Sequence, residues 1–217
     1  MRHGRPIGRW NVATRQCMIP AGKHRLGIYR RGCVSRALAG VLESAVGGRL
    51  PRFAQWLGLP RVEFRTMLDH YFPGAAQSGW APDAEPTEEL ALPCEFRDLV
   101  NMLVDGRTAG ADPQAVRWAA HALACGCFGN NHLWQDMGLS GREDVSTLLE
   151  QTFRPVFDAN TADMKWKKFF YHRVCERLDL HPCPEPSCSD CEHHAQCHGS
   201  EVRIDIPLLK QSRSPQT

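Results

Sequence analysis

Four cysteines within fifteen residues near the C-terminus constrain this sequence most strongly. They are Cys183, Cys188, Cys191 and Cys197, and their spacing is C-x4-C-x2-C-x5-C. Thiolates this close together form a pocket for one metal centre, and iron–sulfur clusters are held by such soft, anionic ligands. The first three cysteines reproduce the C-x4-C-x2-C run of a known cluster spacing. The pattern favours an iron–sulfur cluster over a structural zinc ion, which also accepts four cysteines, and over a pair of disulfides.

The cysteine content also indicates the compartment. The chain has ten cysteines in 217 residues and shows no secretory signal and no apolar run of membrane-spanning length. Clustered cysteines in a reducing compartment bind metal or do chemistry more often than they form disulfides. We therefore expect a protein of a reducing compartment with no membrane partner.

The charge is distributed unevenly along the chain. Residues 1–36 carry nine Lys and Arg and no Asp or Glu, so the rest of the chain holds 17 of the 26 basic residues against all 24 acidic ones. The basic segment has no clear periodicity and contains several glycines and prolines. We interpret residues 1–34 as a disordered basic extension; a nucleic-acid arm and a transit peptide are the alternatives.

From Ser35 onward the sequence predicts helices. Ser35 is a candidate N-cap for the first helix, and Asp112-Pro113 is a strong start for another because it combines a capping carboxylate with proline at the first helical position. Ser140 and Glu143 fit a capping box. The last long helix is predicted over residues 162–178. Convincing strand alternation is absent, apart from a short piece at residues 202–206, so the fold class is all-α.

This organisation gives a single helical domain followed by a cysteine-rich metal-binding coil. The predicted segments are a basic extension over 1–34, a helical body over 35–180, a cysteine-rich coil over 181–201 and a C-terminal tail over 202–217.

The last predicted helix contains a lysine in an unexpected place. Lys167 falls inside an apolar arc defined by Trp166, Phe169, Phe170, Val174 and Leu178. Our first interpretation is a lysine that extends past the core to reach water. The functional alternative is a lysine aimed at an anion near the cysteine coil, which begins just after this helix.

A second candidate constellation precedes that helix. Cys125, Cys127, His132 and Asp136 lie where a predicted helix ends in a glycine-containing turn. The two cysteines are either small apolar fillers of the core, beside a buried Leu133 and Trp134, or groups near the metal. The residues alone leave these two readings evenly balanced.

Three segments together resemble a known family. They are residues 131–139 (NHLWQDMGL), residues 164–171 (MKWKKFFY) and the C-x4-C-x2-C-x5-C tail, in that order. The chain is similar to the NifQ family, the molybdenum-handling proteins of nitrogenase cofactor biosynthesis. The resemblance spans about residues 35–201.

The resemblance implies a function and a ligand set. It implies a cytoplasmic carrier, not an enzyme, that holds a molybdenum–iron–sulfur cluster. Such a carrier delivers molybdenum to the nitrogenase cofactor scaffold complex, with the nitrogenase iron protein taking part. Carried over by position, Cys183, Cys188, Cys191 and Cys197 are the cluster ligands. His198 stands where we expect an aromatic residue.

Three further residues are secondary metal-site candidates: Cys127, His132 and Lys167. His132, Asp136 and the lysines at 165, 167 and 168 fall in family-like motifs. Because molybdate is an anion, we expect Lys167 or its neighbours to raise its local concentration.

Two rival functions are weighed against this one. A helical DNA glycosylase with a four-iron cluster has a similar C-x6-C-x2-C-x5-C tail. It also needs a glycine-rich helix–hairpin–helix, which we do not find, and the acidic body disfavours phosphate contacts, so we expect no nucleic-acid partner. The other rival is a zinc-stabilised interaction module, which would be colourless.

Overall fold

The computed structural model describes residues 32–75 and 92–179, and these residues form helices with no strand among them. The elements in chain order are α1 (Cys33–Val46), a short 3-10 helix (Arg52–Trp56), α2 (Arg61–Tyr71), α3 (Cys94–Asp105), α4 (Pro113–Cys127), α5 (Leu133–Asp136), α6 (Arg142–Thr152), α7 (Arg154–Ala159) and α8 (Trp166–Arg177). The all-α prediction is confirmed for these residues. Residues 1–31 of the predicted basic extension, the cysteine coil and the extended piece at 202–206 lie outside them. The predicted end of the extension at residue 34 is wrong, because Cys33 and Val34 already belong to α1.

The central helix of this body is α4. It begins as predicted: the carboxylate of Asp112 accepts hydrogen bonds from the backbone N–H groups of Gln114 (3.2 Å) and Ala115 (3.3 Å), and Pro113 takes the first helical position. Every residue from Trp118 to Cys127 is buried. Helices α1, α3 and α5 pack around it. A helix that is apolar on all sides belongs in the middle of a helical domain, and α4 occupies that place.

Helix α1 meets the turn after α5 at backbone distance. Gly40 on α1 faces Met137 and Gly138, and a Cβ added to Gly40 would overlap the carbonyl oxygen of Met137. Gly138 itself has a φ of +61°, a conformation that favours glycine. The two glycines therefore fix how closely α1 and the α5 turn approach.

Two predicted helix starts are wrong in detail. Helix α1 begins at Cys33 with Gly32 as N-cap, and the Ser35 hydroxyl donates to the Gly32 carbonyl (2.9 Å) from inside the first turn. The predicted capping box at Ser140 does not form, because Gly141 is the N-cap of α6. The backbone N–H of Ser140 donates instead to Asp144 (3.0 Å). That carboxylate is held in place by Arg36 of α1 (2.8 Å).

The start of α8 also differs from the prediction. The helix begins at Trp166 instead of residue 162. The side-chain amide of Asn160 donates to the Met164 carbonyl and accepts from the Met164 N–H, both at 2.9 Å. Because these bonds satisfy the backbone of Met164 locally, residues 160–164 form a closed loop ahead of the helix.

Helix α8 packs on α3 with the predicted apolar side chains. Trp166, Phe169, Phe170 and Val174 are buried, whereas Leu178 follows the helix end and is 48% exposed. Within residues 32–75 and 92–179, no helix is both long enough and apolar enough to cross a bilayer.

Candidate functional site

The four predicted cluster ligands, Cys183, Cys188, Cys191 and Cys197, lie outside the described residues. The part of the site that the structure shows is therefore the helix that leads to them. Helix α8 ends at Arg177, six positions before Cys183. The three secondary candidates, Cys127, His132 and Lys167, all lie in the described body.

Lys167 does not extend past the core to water. Its ammonium donates to a carboxylate oxygen of Asp136 (2.5 Å) and to the carbonyl oxygen of Gly129 (2.8 Å). The Lys167 side chain is 15% exposed, and the Asp136 side chain is 0% exposed. The interpretation of a solvent-seeking lysine is wrong, because a buried carboxylate lies within its reach.

Asp136 is surrounded by donors. Its two carboxylate oxygens accept from the backbone N–H and the side-chain amide of Asn131, both at 3.0 Å, in addition to the Lys167 ammonium. Gly129 passes so close that an added Cβ would overlap this carboxylate. A buried carboxylate without partners would be strongly disfavoured, and Asn131 and Lys167 supply the hydrogen-bond donors that Asp136 needs inside the protein. We call Lys167, Asp136, Asn131 and Gly129 the Lys167 cluster.

Cys127, the last residue of α4, lies beside this cluster. Burial raises the pKa of its thiol to about 12; the positive charge of Lys167 acts in the opposite direction and the negative charge of Asp136 in the same one. Burial also raises the pKa of Cys125 well above its ordinary value. Because the thiolate is the metal-binding form, both cysteines are poor ligands in this conformation. Both are buried in the core, in agreement with the packing interpretation.

His132 precedes α5 and is half-buried. Its backbone N–H donates to the side-chain oxygen of Gln135 (3.1 Å), which closes the first turn of α5. Leu133 and Trp134, which follow, are buried as predicted. Within the described part of the chain, no three His, Cys, Asp or Glu side chains come together in a way that would hold a metal ion. A metal role for Cys127, His132 and Lys167 stays a prediction.

Helix α8 is held at its two ends as well as near its first turn. The Arg142 guanidinium donates to the carbonyl oxygens of Asp163 (3.2 Å) and Met164 (2.8 Å), just before the helix, and lies 5.8 Å over the ring of Trp166. At the other end, Arg177 pairs with Asp105 of α3 (2.6 Å). Polar contacts thus hold α8 just before its first residue and at its last residue, in addition to its apolar packing.

Sequence reasoning missed the pairing of Lys167 with Asp136. It also missed the hydroxyl of Tyr171, one turn further along α8, which donates to the Cys127 carbonyl (3.4 Å). One signal was available: a lysine inside an apolar arc requires a buried anion. Asp136 is the one buried acidic residue in the described ranges.

The two segments that carry the sequence resemblance, residues 131–139 and 164–171, therefore meet in the Lys167 cluster: the first contributes Asn131 and Asp136, and the second contributes Lys167. Comparison with known proteins supports the family that the sequence resemblance indicated, since the NifQ family model matches residues 37–199. The chain belongs to the NifQ family. The match begins in α1 and extends through Cys197, so it contains both the Lys167 cluster and the four cysteines of the tail.

Individual NifQ relatives agree with this assignment. Protein NifQ of Azotobacter vinelandii is 41% identical over 155 residues, which cover 67% of this chain and 78% of that protein. Protein NifQ of Rhodobacter capsulatus is 32% identical over 160 residues, covering 74% and 84%. The NifQ homolog of Sinorhizobium fredii is 34% identical over 147 residues, covering 66% and 60%. No solved structure matches the chain significantly.

Proposed function

We propose that this protein is a molybdenum carrier that supplies the metal for biosynthesis of the nitrogenase iron–molybdenum cofactor. The observation that carries the proposal is the extent of the NifQ match, which includes the whole C-x4-C-x2-C-x5-C segment together with the helical body. The protein acts as a donor and not as an enzyme: its cargo enters as molybdate and leaves toward the cofactor scaffold complex, with the nitrogenase iron protein as a second partner. This takes place in the cytoplasm.

The donor set fits a molybdenum–iron–sulfur cluster. Cys183, Cys188, Cys191 and Cys197 offer four sulfur ligands, which is the number that cluster ligation requires. When bound, the cluster supplies soft sulfide and thiolate coordination for iron and a place for molybdenum. The chain contributes the four thiolates and a short segment stiffened by Pro182, Pro184 and Pro186, which limits the conformational entropy lost on ligation.

The first experiment is metal analysis of protein isolated without oxygen from cells supplied with iron and molybdenum. We expect a brown protein that contains iron, sulfide and molybdenum. A colourless protein with one zinc ion per chain would establish the zinc-stabilised module instead, because zinc is d¹⁰ and has no visible absorption. Iron without molybdenum would leave a cluster protein but contradict the carrier function.

The ligand assignment is tested by Cys188→Ala, with Cys94→Ala as the matched control. Cys94 is an exposed cysteine at the start of α3. Loss of one of four thiolates opens a corner of the cluster, so we expect Cys188→Ala to lose its visible absorption and most of its iron and molybdenum. Cys94→Ala should keep both. Full metal content in Cys188→Ala would show that the ligands lie elsewhere.

A further inference from the structure

The Lys167 cluster adds polar contacts to a helix that already has an apolar packing face. Trp166, Phe169, Phe170 and Val174 already bury the apolar side of α8. A buried ion pair adds little stability over apolar side chains of the same volume, since desolvation offsets most of the attraction between the charges. Buried polar groups can instead specify one relative placement of the elements that carry them, as a single buried asparagine does in coiled coils.

In this protein the two elements are α8 and the segment 127–136, which runs from the last residue of α4 through the connecting loop to the end of α5. Lys167 and Tyr171 are four residues apart, so they project from one face of α8 and both bind the segment 127–136. The Lys167 contacts reach two separate points, the Gly129 carbonyl and the Asp136 carboxylate. Together with Tyr171 on the Cys127 carbonyl, they fix both the rotation and the axial position of α8 against this segment.

The same contacts engage the ammonium group of Lys167 inside the protein. The ammonium of Lys167 has two acceptors within 2.8 Å and a mostly buried side chain. An incoming oxyanion would have to displace a carboxylate that Asn131 also holds. Charge attraction by Lys167 is therefore less consistent with the geometry than a role in holding the helix.

We infer that the Lys167–Asp136 pair is a positioning contact for metal loading: it sets the rotation and axial position of α8, the helix that precedes the cysteine segment in the chain, against the segment 127–136. Lys167 and Asp136 act through the helix and do not bind the metal themselves. This inference rests on the proposed function, because it assigns the cysteine segment as the metal-binding part.

The main test is the double variant Asp136→Asn/Lys167→Gln. The two amides keep hydrogen-bonding groups at both positions but remove both charges. We expect iron and molybdenum content to fall at least several-fold, measured on protein that is fully folded by circular dichroism. The single variant Lys167→Arg keeps a cation opposite Asp136, so it should retain most of the iron and molybdenum of the wild type.

A stability control separates positioning from a general weakening of the fold. Leu42 is a fully buried residue of α1, a helix that packs on α4, α5 and α6. Leu42→Ala destabilises the core without touching the Lys167 cluster. At temperatures where this control and the double variant have the same folded fraction, the double variant should hold much less metal. Equal metal content in the two would overturn the inference and leave the pair with a stabilising role only.

A metal-free readout comes from Cys127. Because its backbone carbonyl accepts from Tyr171 and its thiol lies beside Lys167, release of the contact should expose it. Peptide-resolved alkylation of the apo-protein should show Cys127 reacting at least ten-fold faster in the double variant, with Cys125 unchanged as the internal standard. An unchanged Cys127 rate together with full metal content would refute the inference.

Two further outcomes are also decisive. Should the double variant fail to fold, Asn131→Ala takes its place, because Asn131 is exposed and supplies two of the hydrogen bonds to Asp136. A partial loss of metal with faster Cys127 alkylation is then expected, and wild-type values for both would reject the inference. Wild-type protein without iron or molybdenum would instead defeat the proposed function, whereas the Cys127 rates still report on the contact itself.

Discussion

The imidazole of His121 on α4 bonds through Nδ1 to the backbone carbonyl oxygen of Leu57, at 2.7 Å. The contact joins the central helix to the turn after the 3-10 helix, 64 residues earlier in the chain. His121 is 5% exposed and its ring meets the edge of Phe96. Because the carbonyl can only accept, Nδ1 is the protonated nitrogen of a neutral ring.

This histidine should make the fold sensitive to acid. Burial lowers the pKa of His121 to about 4 from an ordinary value of 6.5. The unfolded state therefore binds the proton more readily, so stability falls as the pH drops from 6.5 toward 4 and is unaffected by this group above 6.5. A shift of this size corresponds to roughly 3 kcal/mol across the whole interval.

Urea unfolding of wild type and His121→Asn at pH 5 and pH 7 measures the effect. Asparagine places an N–H donor near the position of Nδ1 but does not titrate. We expect the wild type to lose about 2 kcal/mol more than the variant between the two pH values. An equal loss in both proteins would show that other groups cause the acid sensitivity.

Breaking the Lys167–Asp136 pair on one side should be costly. Lys167→Met leaves the carboxylate of Asp136 buried without its cation, and removal of one partner of a buried pair typically costs about 3–5 kcal/mol. Asp136→Asn and the double variant with Lys167→Gln complete a thermodynamic cycle with Lys167→Gln alone. We expect a coupling free energy of about 1–3 kcal/mol from denaturant unfolding. Additive losses would mean that the two side chains do not interact energetically.

The contact between α1 and the α5 turn predicts a severe effect of a small substitution. Gly40→Ala would drive a methyl group into the Met137 carbonyl, and the helix cannot move away without disturbing α4. We expect a loss of at least about 2 kcal/mol in unfolding free energy, typical of overpacked cores. Gly32→Ala is the control, because its added Cβ meets only the Ser35 hydroxyl at 3.8 Å. Similar stabilities of the two variants would contradict the packing.

The cysteines of the described body should differ widely in reactivity. Cys94 is exposed, whereas Cys125 and Cys127 are buried with raised pKa values. Alkylation requires both access and the thiolate, so we expect Cys94 to react orders of magnitude faster in native apo-protein. Peptide-resolved mass spectrometry measures each rate, and denatured protein provides the reference in which the three become similar. Rapid native labelling of Cys125 would show that the core opens easily.

Attraction of molybdate by the neighbours of Lys167 stays a prediction that can be tested directly. Lys165 and Lys168 are half-buried residues at the N-terminal end of α8. If their charge concentrates the anion, Lys165→Gln/Lys168→Gln should load less molybdenum at limiting molybdate and a normal amount at saturating molybdate. Arg154→Gln on α7, an exposed cation paired with Glu150 and Asp158, is the matched control. Unchanged loading at limiting molybdate would discard the assignment.

The sequence predicted those features whose causes are local. Asp112 and Pro113 fix the start of α4 because the cap lies within three residues of its donors. The failure of the capping box at Ser140 was beyond prediction because it involves a residue far away in the sequence. Arg36 of α1 binds Asp144, and Asp144, in place of Glu143, accepts the hydrogen bond from the Ser140 N–H. The partner of Lys167 could not be predicted for the same reason. Asp136 lies 31 residues away in the sequence, and only the folded structure brings it next to α8. The apolar arc of α8 showed that a partner was needed but not which residue it was.

The arrangement around α4 has a consequence for fragments of this chain. Helices α1 and α3 both rest on α4, yet α4 is made only from residue 113 onward. Any polypeptide that ends before that point leaves the inner faces of both helices in contact with water. During synthesis, α1 and α3 can therefore complete their packing only after Pro113–Cys127 has emerged.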